Sequence, residues 1–440
     1  MRVVIGAEAA RRTILHRRLT TDVELTPAGL ARTAAVMGAE VSANEAVRRI
    51  IQDIRREGDR ALRRYCEAFD GVPYAKLEVS REEIDASLAA IPGELRAALE
   101  LAAGRIRRYH EGQRRRVLES YIEDGLGIQV RALETVGFYV PGTSPVYPSS
   151  VLHTVIPAQV AGVPSLLMIS PAGRDGRIPD VKLAAAAIAG VSRVFMASGA
   201  QAIAALAYGT DTIPRVDKIC GPGNIFVTLA KREVFGDVGI DSIYGPTETV
   251  IVADESADPG VCAADLIAQA EHDEMATPIL ITSSQTLAEQ TAEIVAQRLD
   301  GLPRGAVVRA AFEGQGGAVV ASSIEEAVGL ASEFAPEHLC LMTSDPRRLL
   351  PLVKNAGGIF LGESSPEAIG DYTGGPSHVM PTGAAARFAS PLSVLDFLKF
   401  STIMEIRDDE VLDLARAGAT IARAEGLEGH ARALEERLPK

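Results

Sequence analysis

The sequence predicts an α/β protein: two units of parallel sheet and covering helices, with a helical region before them and a helical tail after them. Three observations carry this. Capping patterns and helical spacing of apolar residues fill the first third of the chain. From about residue 127, short β-rich runs alternate with Ala-rich helical stretches, the pattern of a mostly parallel sheet. The alternation breaks at Tyr244-Gly-Pro-Thr247 and then starts a second series.

In chain order, Ser42-Ala-Asn-Glu45 is a capping-box pattern, and Val47, Ile50, Ile51 and Ile54 follow on one helix face up to Gly58. Ser80-Arg-Glu-Glu83 opens another helix, which Pro92-Gly93 ends, and a third runs over 94–110. The first alternating series has strands at 135–140, 166–170, 193–197 and 217–220, with helices over 182–189 and 201–208. The second has strands at 249–254, 278–282, 318–321, 338–343 and 358–361. A strand at 397–406 and amphipathic helices at 408–423 and 430–437 form the tail. The expected organisation is an N-terminal segment (1–40), one α/β unit from 41–135 plus 248–390, a second from 136–247, and a tail (391–440).

Composition excludes several classes. The 440 residues carry 45 basic and 58 acidic side chains, a formal charge of −13, so a nucleic-acid backbone is not the expected main partner. No run reaches the roughly 18 apolar residues of a spanning helix, and charges interrupt every apolar stretch of 1–24. The four cysteines, Cys66, Cys220, Cys262 and Cys340, are scattered, which fits a reducing cytoplasm.

Five segments offer chemistry. Gly221-Pro-Gly-Asn224 follows a strand and precedes a helical run, so its N–H groups can meet an anion, although the G-x-G-x-x-G fingerprint is absent. Gln269 and His272 share a helix face and are possible metal ligands or a polar helix end. Glu337 and His338 set a carboxylate beside an imidazole at a strand start, either a pair suited to acid–base work or a turn with two polar residues. The loop 370–378 contains Asp371, a ligand or a turn residue, and His378, a substrate contact or a loop-stacking ring. Glu425 and His430 stand in the tail. Cys220, directly before the glycine loop, keeps a covalent nucleophile open.

Taken in order, these segments resemble histidinol dehydrogenase. The resemblance spans about 40–440, through V-G-F-Y-V-P-G (136–142), Y-P-S-S-V-L (147–152), P-A-Q-V-A-G-V (157–163), G-A-Q-A-I-A-A-L-A-Y-G-T (199–210), G-P-G-N (221–224), Q-A-E-H (269–272), A-P-E-H-L (335–339), G-D-Y (370–372), H-V-M-P-T-G (378–383) and E-G-L-E-G-H (425–430). It implies two incomplete Rossmann-like units in an aldehyde-dehydrogenase-like architecture, and a homodimer that exchanges its tail. It implies one zinc per site, held by Gln269, His272, Asp371 and His430. Glu337 and His338 become the catalytic pair. Thr247, His338, Asp371 and Glu425, with the zinc ligands, fall at substrate positions, and Tyr139, Gln201 and Asn224 at NAD positions. The implied reaction is NAD-dependent, four-electron oxidation of L-histidinol to L-histidine through L-histidinaldehyde, in the last steps of histidine biosynthesis.

The chain departs from the family pattern at Pro141-Gly-Thr-Ser-Pro145, Thr247, Ser377, Ala384 and Phe400. Three other readings stay open at this stage: a zinc and NAD dehydrogenase acting on a different hydroxyl compound, an aldehyde dehydrogenase using Cys220, and a non-catalytic metal- or nucleotide-binding protein.

Overall fold

A computed structural model of the chain describes residues 1–17, 27–142 and 146–438. The part of the sequence departure at 143–145 lies outside the described residues, as does 18–26 of the N-terminal segment. The strands are β1 (Val3–Ile5), β2 (Glu78–Val79), β3 (Tyr121–Glu123), β4 (Leu126–Ala132), β5 (Thr135–Tyr139), β6 (Ser165–Ser170), β7 (Arg193–Met196), β8 (Lys218–Cys220), β9 (Gly239–Ile240), β10 (Glu248–Ala253), β11 (Thr277–Thr282), β12 (Gly317–Val320), β13 (His338–Met342), β14 (Gly358–Leu361) and β15 (Leu398–Met404).

They form two six-stranded sheets and one three-stranded sheet. The first large sheet runs β2-β7-β6-β5-β8-β9, all parallel except β2. The second runs β1-β12-β11-β10-β13-β14 and is wholly parallel. Leaving out the outer strands β2 and β1, each follows the doubly wound order 3-2-1-4-5, with its reversal point beside the first strand, β5 or β10. These two sheets bear out the α/β expectation.

The second sheet shows why such strands read as continuous apolar runs. Every residue of β10 and β11 is buried. Ile251, Leu280 and Cys340 face one apolar cluster, and Val250, Ile279 and Leu339 face another on the opposite side.

Two compact units result: Met1–Arg115 with Leu133–Phe397, and Arg116–Ala132 with Leu398–Lys440. The first holds both large sheets. The second holds the antiparallel sheet β15-β4-β3 and the helices Val411–Ala424 and Glu428–Glu435.

Two expectations need correction. Helix Ala43–Glu57 packs on helices Gly199–Tyr208 and Ile225–Val234, helix Arg81–Ala90 on Asp180–Ala189, and helix Gly93–Arg114 on Pro148–Ala161. The helical region therefore covers the β5 sheet and not the 248–390 series. Periodicity shows that a helix has an apolar face, but not which sheet that face covers. The N-terminal segment is also not separate, because β1 pairs with β12 at the edge of the β10 sheet. Among the described residues, no helix is long and apolar enough to cross a membrane.

Candidate active site

Register builds the centre of the site. Parallel pairing sets His338, the first residue of β13, opposite Thr249 of β10. The residues just before each strand, Thr247 and Glu337, are thereby neighbours. Helix Ile324–Phe334 ends on Ala335, whose left-handed φ of 55° turns the chain into Pro336 and Glu337.

Hydrogen bonds then lock the pair. The Thr247 hydroxyl donates to Glu337 Oε2 at 2.7 Å, and the Glu248 N–H donates to the same oxygen at 3.2 Å. His338 Nδ1 lies 3.1 Å from the Glu248 carbonyl oxygen. The Gln269 amide nitrogen also lies 3.3 Å from Nδ1, but it donates to Thr247 Oγ1, and the nearer Glu248 carbonyl only accepts; this contact puts the proton on Nδ1 and the lone pair on Nε2. Nε2 is buried and has no hydrogen-bond partner among the described residues. The Glu248 carboxylate is itself held, by Arg17 Nη2 at 3.1 Å and the Gly383 N–H at 3.1 Å.

Burial and neighbouring charges tune both groups. Burial pushes the Glu337 carboxyl up from its ordinary range, against the opposing pull of His338. Burial pulls His338 down, but the Glu337, Glu367 and Asp371 carboxylates outweigh it and the imidazole is raised. Glu337 Oε2 stands 3.7 Å from Nδ1. Sequence reasoning missed Glu367. It is buried, accepts from the Thr249 hydroxyl and from Cys340 Sγ at 3.0 Å, and burial pushes it up to about 7. Its place one helical turn before Asp371 was the available signal.

The remaining site residues of this unit gather here. Gln269 closes helix Pro259–Ala270, which Asp258 caps, and is 3% exposed. Its amide nitrogen donates to Thr247 Oγ1, which leaves the carbonyl oxygen as its free donor atom. His272 is exposed just past the helix end. The charges of Asp371 and His272 act on both Glu337 and His378, so these groups share one electrostatic neighbourhood. His378 donates from Nδ1 to the Asp371 carbonyl at 2.8 Å, and its Nε2 lies 3.3 Å from the Ser150 hydroxyl. Its ring stacks on His153 at 4.4 Å. Glu425 and His430 lie on the second unit, both exposed.

Among the described residues, no group of three or more His, Cys, Asp and Glu stands close enough to hold a metal. Gln269, His272 and Asp371 do belong to one unit and offer oxygen and nitrogen donors. That donor chemistry suits zinc better than magnesium.

The β5 sheet presents different groups. Tyr139 ends β5, and its buried hydroxyl accepts from the Gly199 N–H at 3.2 Å. Gln201 is buried and donates to the Ser198 hydroxyl at 3.0 Å. Asn224 is exposed and caps helix Ile225–Val234, accepting from the N–H groups of Phe226 and Val227. Gly221 has φ 116°, and a Cβ there would fall 2.1 Å from the Tyr139 carbonyl oxygen. At Gly223 a Cβ would meet Val227 at 2.5 Å. Only glycine allows this bare-backbone cradle, a form suited to the phosphates of a dinucleotide. Asp241, also missed, holds the loop by accepting from the Gly221 N–H at 2.6 Å. It pairs with Lys231, whose ammonium donates back to the Gly221 carbonyl at 3.1 Å.

A family model for histidinol dehydrogenase matches residues 35–438. The chain is 48% identical over 408 residues to a histidinol dehydrogenase of Dehalococcoides mccartyi strain CBDB1, covering 92% of this chain and 93% of that one. It is 46% identical over 393 residues to that of Bacillus subtilis strain 168, covering 89% and 92%. The crystal structure of histidinol dehydrogenase from Elizabethkingia anophelis superimposes with a TM-score of 0.89 at 32% identity, covering 99% of this chain and 98% of that one. The chain belongs to the histidinol dehydrogenase family.

Membership makes it an oxidoreductase, against the non-catalytic binding reading. The Cys220 alternative fails on physical grounds as well. Its thiol is wholly buried, and burial drives it far above the ordinary range, away from the thiolate a nucleophile requires.

Proposed function

We propose that this chain oxidises L-histidinol to L-histidine through L-histidinaldehyde, using NAD and zinc, in the cytoplasm and as a homodimer. The observation that carries the reading is the buried, unpartnered Nε2 of His338, with its tautomer held by the Glu248 carbonyl. A general base needs a lone pair in a fixed place, and this imidazole has one.

His338 Nε2 takes the alcohol proton as hydride leaves the carbinol carbon. NAD bound at the Gly221–Gly223 cradle would supply the hydride acceptor in both half-reactions. Water then adds to the aldehyde carbonyl. Glu337, raised by burial and held through Thr247, takes a proton from that water while the His338 imidazolium returns its proton to the carbonyl oxygen, which gives a neutral gem-diol and frees Nε2. Nε2 accepts the second hydroxyl proton as the second hydride leaves. Zinc on Gln269, His272, Asp371 and His430 would supply a Lewis-acidic anchor for the substrate's imidazole and amino nitrogens. Thr247 and Glu425 serve the substrate side, and His378 holds the Asp371 backbone. We assign Glu425 and His430 of each site to the partner subunit.

The decisive assay is NADH formed per histidinol consumed, expected to be two. His338→Asn should lower turnover by roughly 10²–10⁴-fold with zinc content unchanged. Near-normal turnover in that variant contradicts the assignment. Refolded together with His430→Asn, it should regain about a quarter of wild-type activity if sites are shared, because half of randomly paired dimers then carry one intact site.

A further inference from the structure

Lys182 is a buried lysine that none of the chemistry above uses. It lies in helix Asp180–Ala189 and is fully buried. Its ammonium donates to three acceptors: the Pro141 carbonyl at 3.0 Å, the Gly142 carbonyl at 2.5 Å and the Ser170 hydroxyl at 2.9 Å. Ser170 ends β6 and passes the contact on, donating to the Val140 carbonyl at 2.8 Å. Lys182, with Ser170, thus ties down three consecutive carbonyls, 140 to 142, where the chain leaves β5.

That exit borders the place where the strand order reverses, between β5 and β8. Doubly wound sheets bind ligands in the crevice beyond the carboxyl ends of their strands at that point. Across the crevice stands the Gly221 loop, so close that the Tyr139 carbonyl leaves no room for a Cβ on Gly221. The ammonium is satisfied in hydrogen bonds but not in charge. Among the described residues, no carboxylate, histidine or second cation from the packed helices Arg81–Ala90, Gly93–Arg114 and Pro148–Ala161 contributes to its field. Burial alone lowers it, from 10.5 to about 8.

We propose that Lys182 is a positioning residue for dinucleotide binding: it fixes the β5 exit and sets an unneutralised positive charge beneath the pyrophosphate of the cofactor. The inference rests on the reading that NAD occupies the crevice beside β5. A neutral, hydrocarbon side chain of similar length fills the space and holds none of the carbonyls.

The test uses the full-length enzyme and NADH as probe. The chain has no tryptophan, so the probe's own fluorescence reports binding cleanly. Lys182→Met should weaken NADH binding and raise the NAD KM about tenfold, the scale of one lost charge-assisted hydrogen bond. Histidinol KM and kcat should stay within about twofold. Lys182→Arg, which keeps charge and donors, should stay close to wild type. Wild-type affinity for NADH should fall as pH rises from 7.5 to 9.5, and Lys182→Arg should not show that fall. If Lys182→Met does not fold, Ser170→Ala should give a smaller loss confined to the dinucleotide. Equal effects on both substrates, unchanged NADH affinity, or the same pH dependence in wild type and Lys182→Arg overturns the proposal. A wild-type enzyme that binds NADH but does not oxidise histidinol defeats only the assigned substrate, and the binding arm still decides on Lys182. One that does not bind NADH overturns both.

Discussion

In the sheet around β5, the groups that await a ligand stand where the strands end. In the sheet around β10, they stand where the strands begin. Both sheets have the same strand order, so topology does not make the difference. Helix polarity accounts for it. At the carboxyl edge of the β5 sheet, helices Gly199–Tyr208 and Ile225–Val234 begin, and their N–H groups and positive dipole ends favour phosphate. At the amino edge of the β10 sheet, helices Pro259–Ala270 and Ile324–Phe334 finish. Their negative ends favour positive charge, which the proposed zinc and the proposed base, once protonated, would bring. One fold, used at opposite edges, thus suits both the proposed phosphate crevice and the proposed basic centre.

Glu337→Gln breaks the amino-edge half of this comparison and carries the largest expected effect. The amide cannot accept a proton from water, so turnover to histidine should fall roughly 10²–10⁴-fold. Oxidation of histidinol to the aldehyde should suffer less. Equal loss in both half-reactions, measured by single-turnover NADH formation from alcohol and from aldehyde, would remove the water-activating role.

The comparison also shows what the sequence reveals. Strands of the two sheets read clearly because both faces are buried, which demands runs such as Thr-Val-Ile-Val-Ala in β10. Glu337 and His338 stood out because they are adjacent in sequence. Their most important partner, the Glu248 carbonyl, was invisible because backbone atoms carry no residue signature. Glu367 and Asp241 were missed for a related reason: a lone acidic residue looks like surface until the fold buries it. The hairpin β3–β4 was missed although β4 alternates Leu126, Ile128, Val130 and Ala132 with Gly127, Gln129 and Arg131; its partner β3 is only three residues long and wholly exposed. Asp124-Gly125, both with positive φ, was the hairpin signal available there.

Asp241→Asn tests the carboxyl-edge half. The Lys231–Asp241 pair is 2% and 1% exposed, so neutralising one partner strands a buried charge. Stability should drop by about 3–5 kcal/mol in urea unfolding, and NADH affinity should fall with the loosened Gly221 loop. Removing both charges, Lys231→Met with Asp241→Leu, should restore most of the stability but not the affinity. If the single and double variants lose the same stability, the pair is not a compensated buried charge.

The smallest effect concerns the other buried cation at that edge. In the folded chain Lys182 titrates near 8, below its ordinary value of 10.5. Between those two values the unfolded chain binds more protons than the folded one, so stability contributed at this site rises with pH. Below about 8 the ammonium carries the full desolvation cost, at most about 3–4 kcal/mol for the drop from 10.5 to about 8. Lys182→Met has nothing to desolvate. The stability of wild type relative to Lys182→Met should therefore increase by about 2 kcal/mol from pH 7.5 to 9.5. Paired urea titrations at the two pH values isolate this site, because every other titrating group is common to both proteins. A difference that stays constant would mean that the three hydrogen bonds hold Lys182 charged throughout. The β5 exit would then keep its positive charge in alkali, and the fall in dinucleotide affinity with pH would have to originate elsewhere.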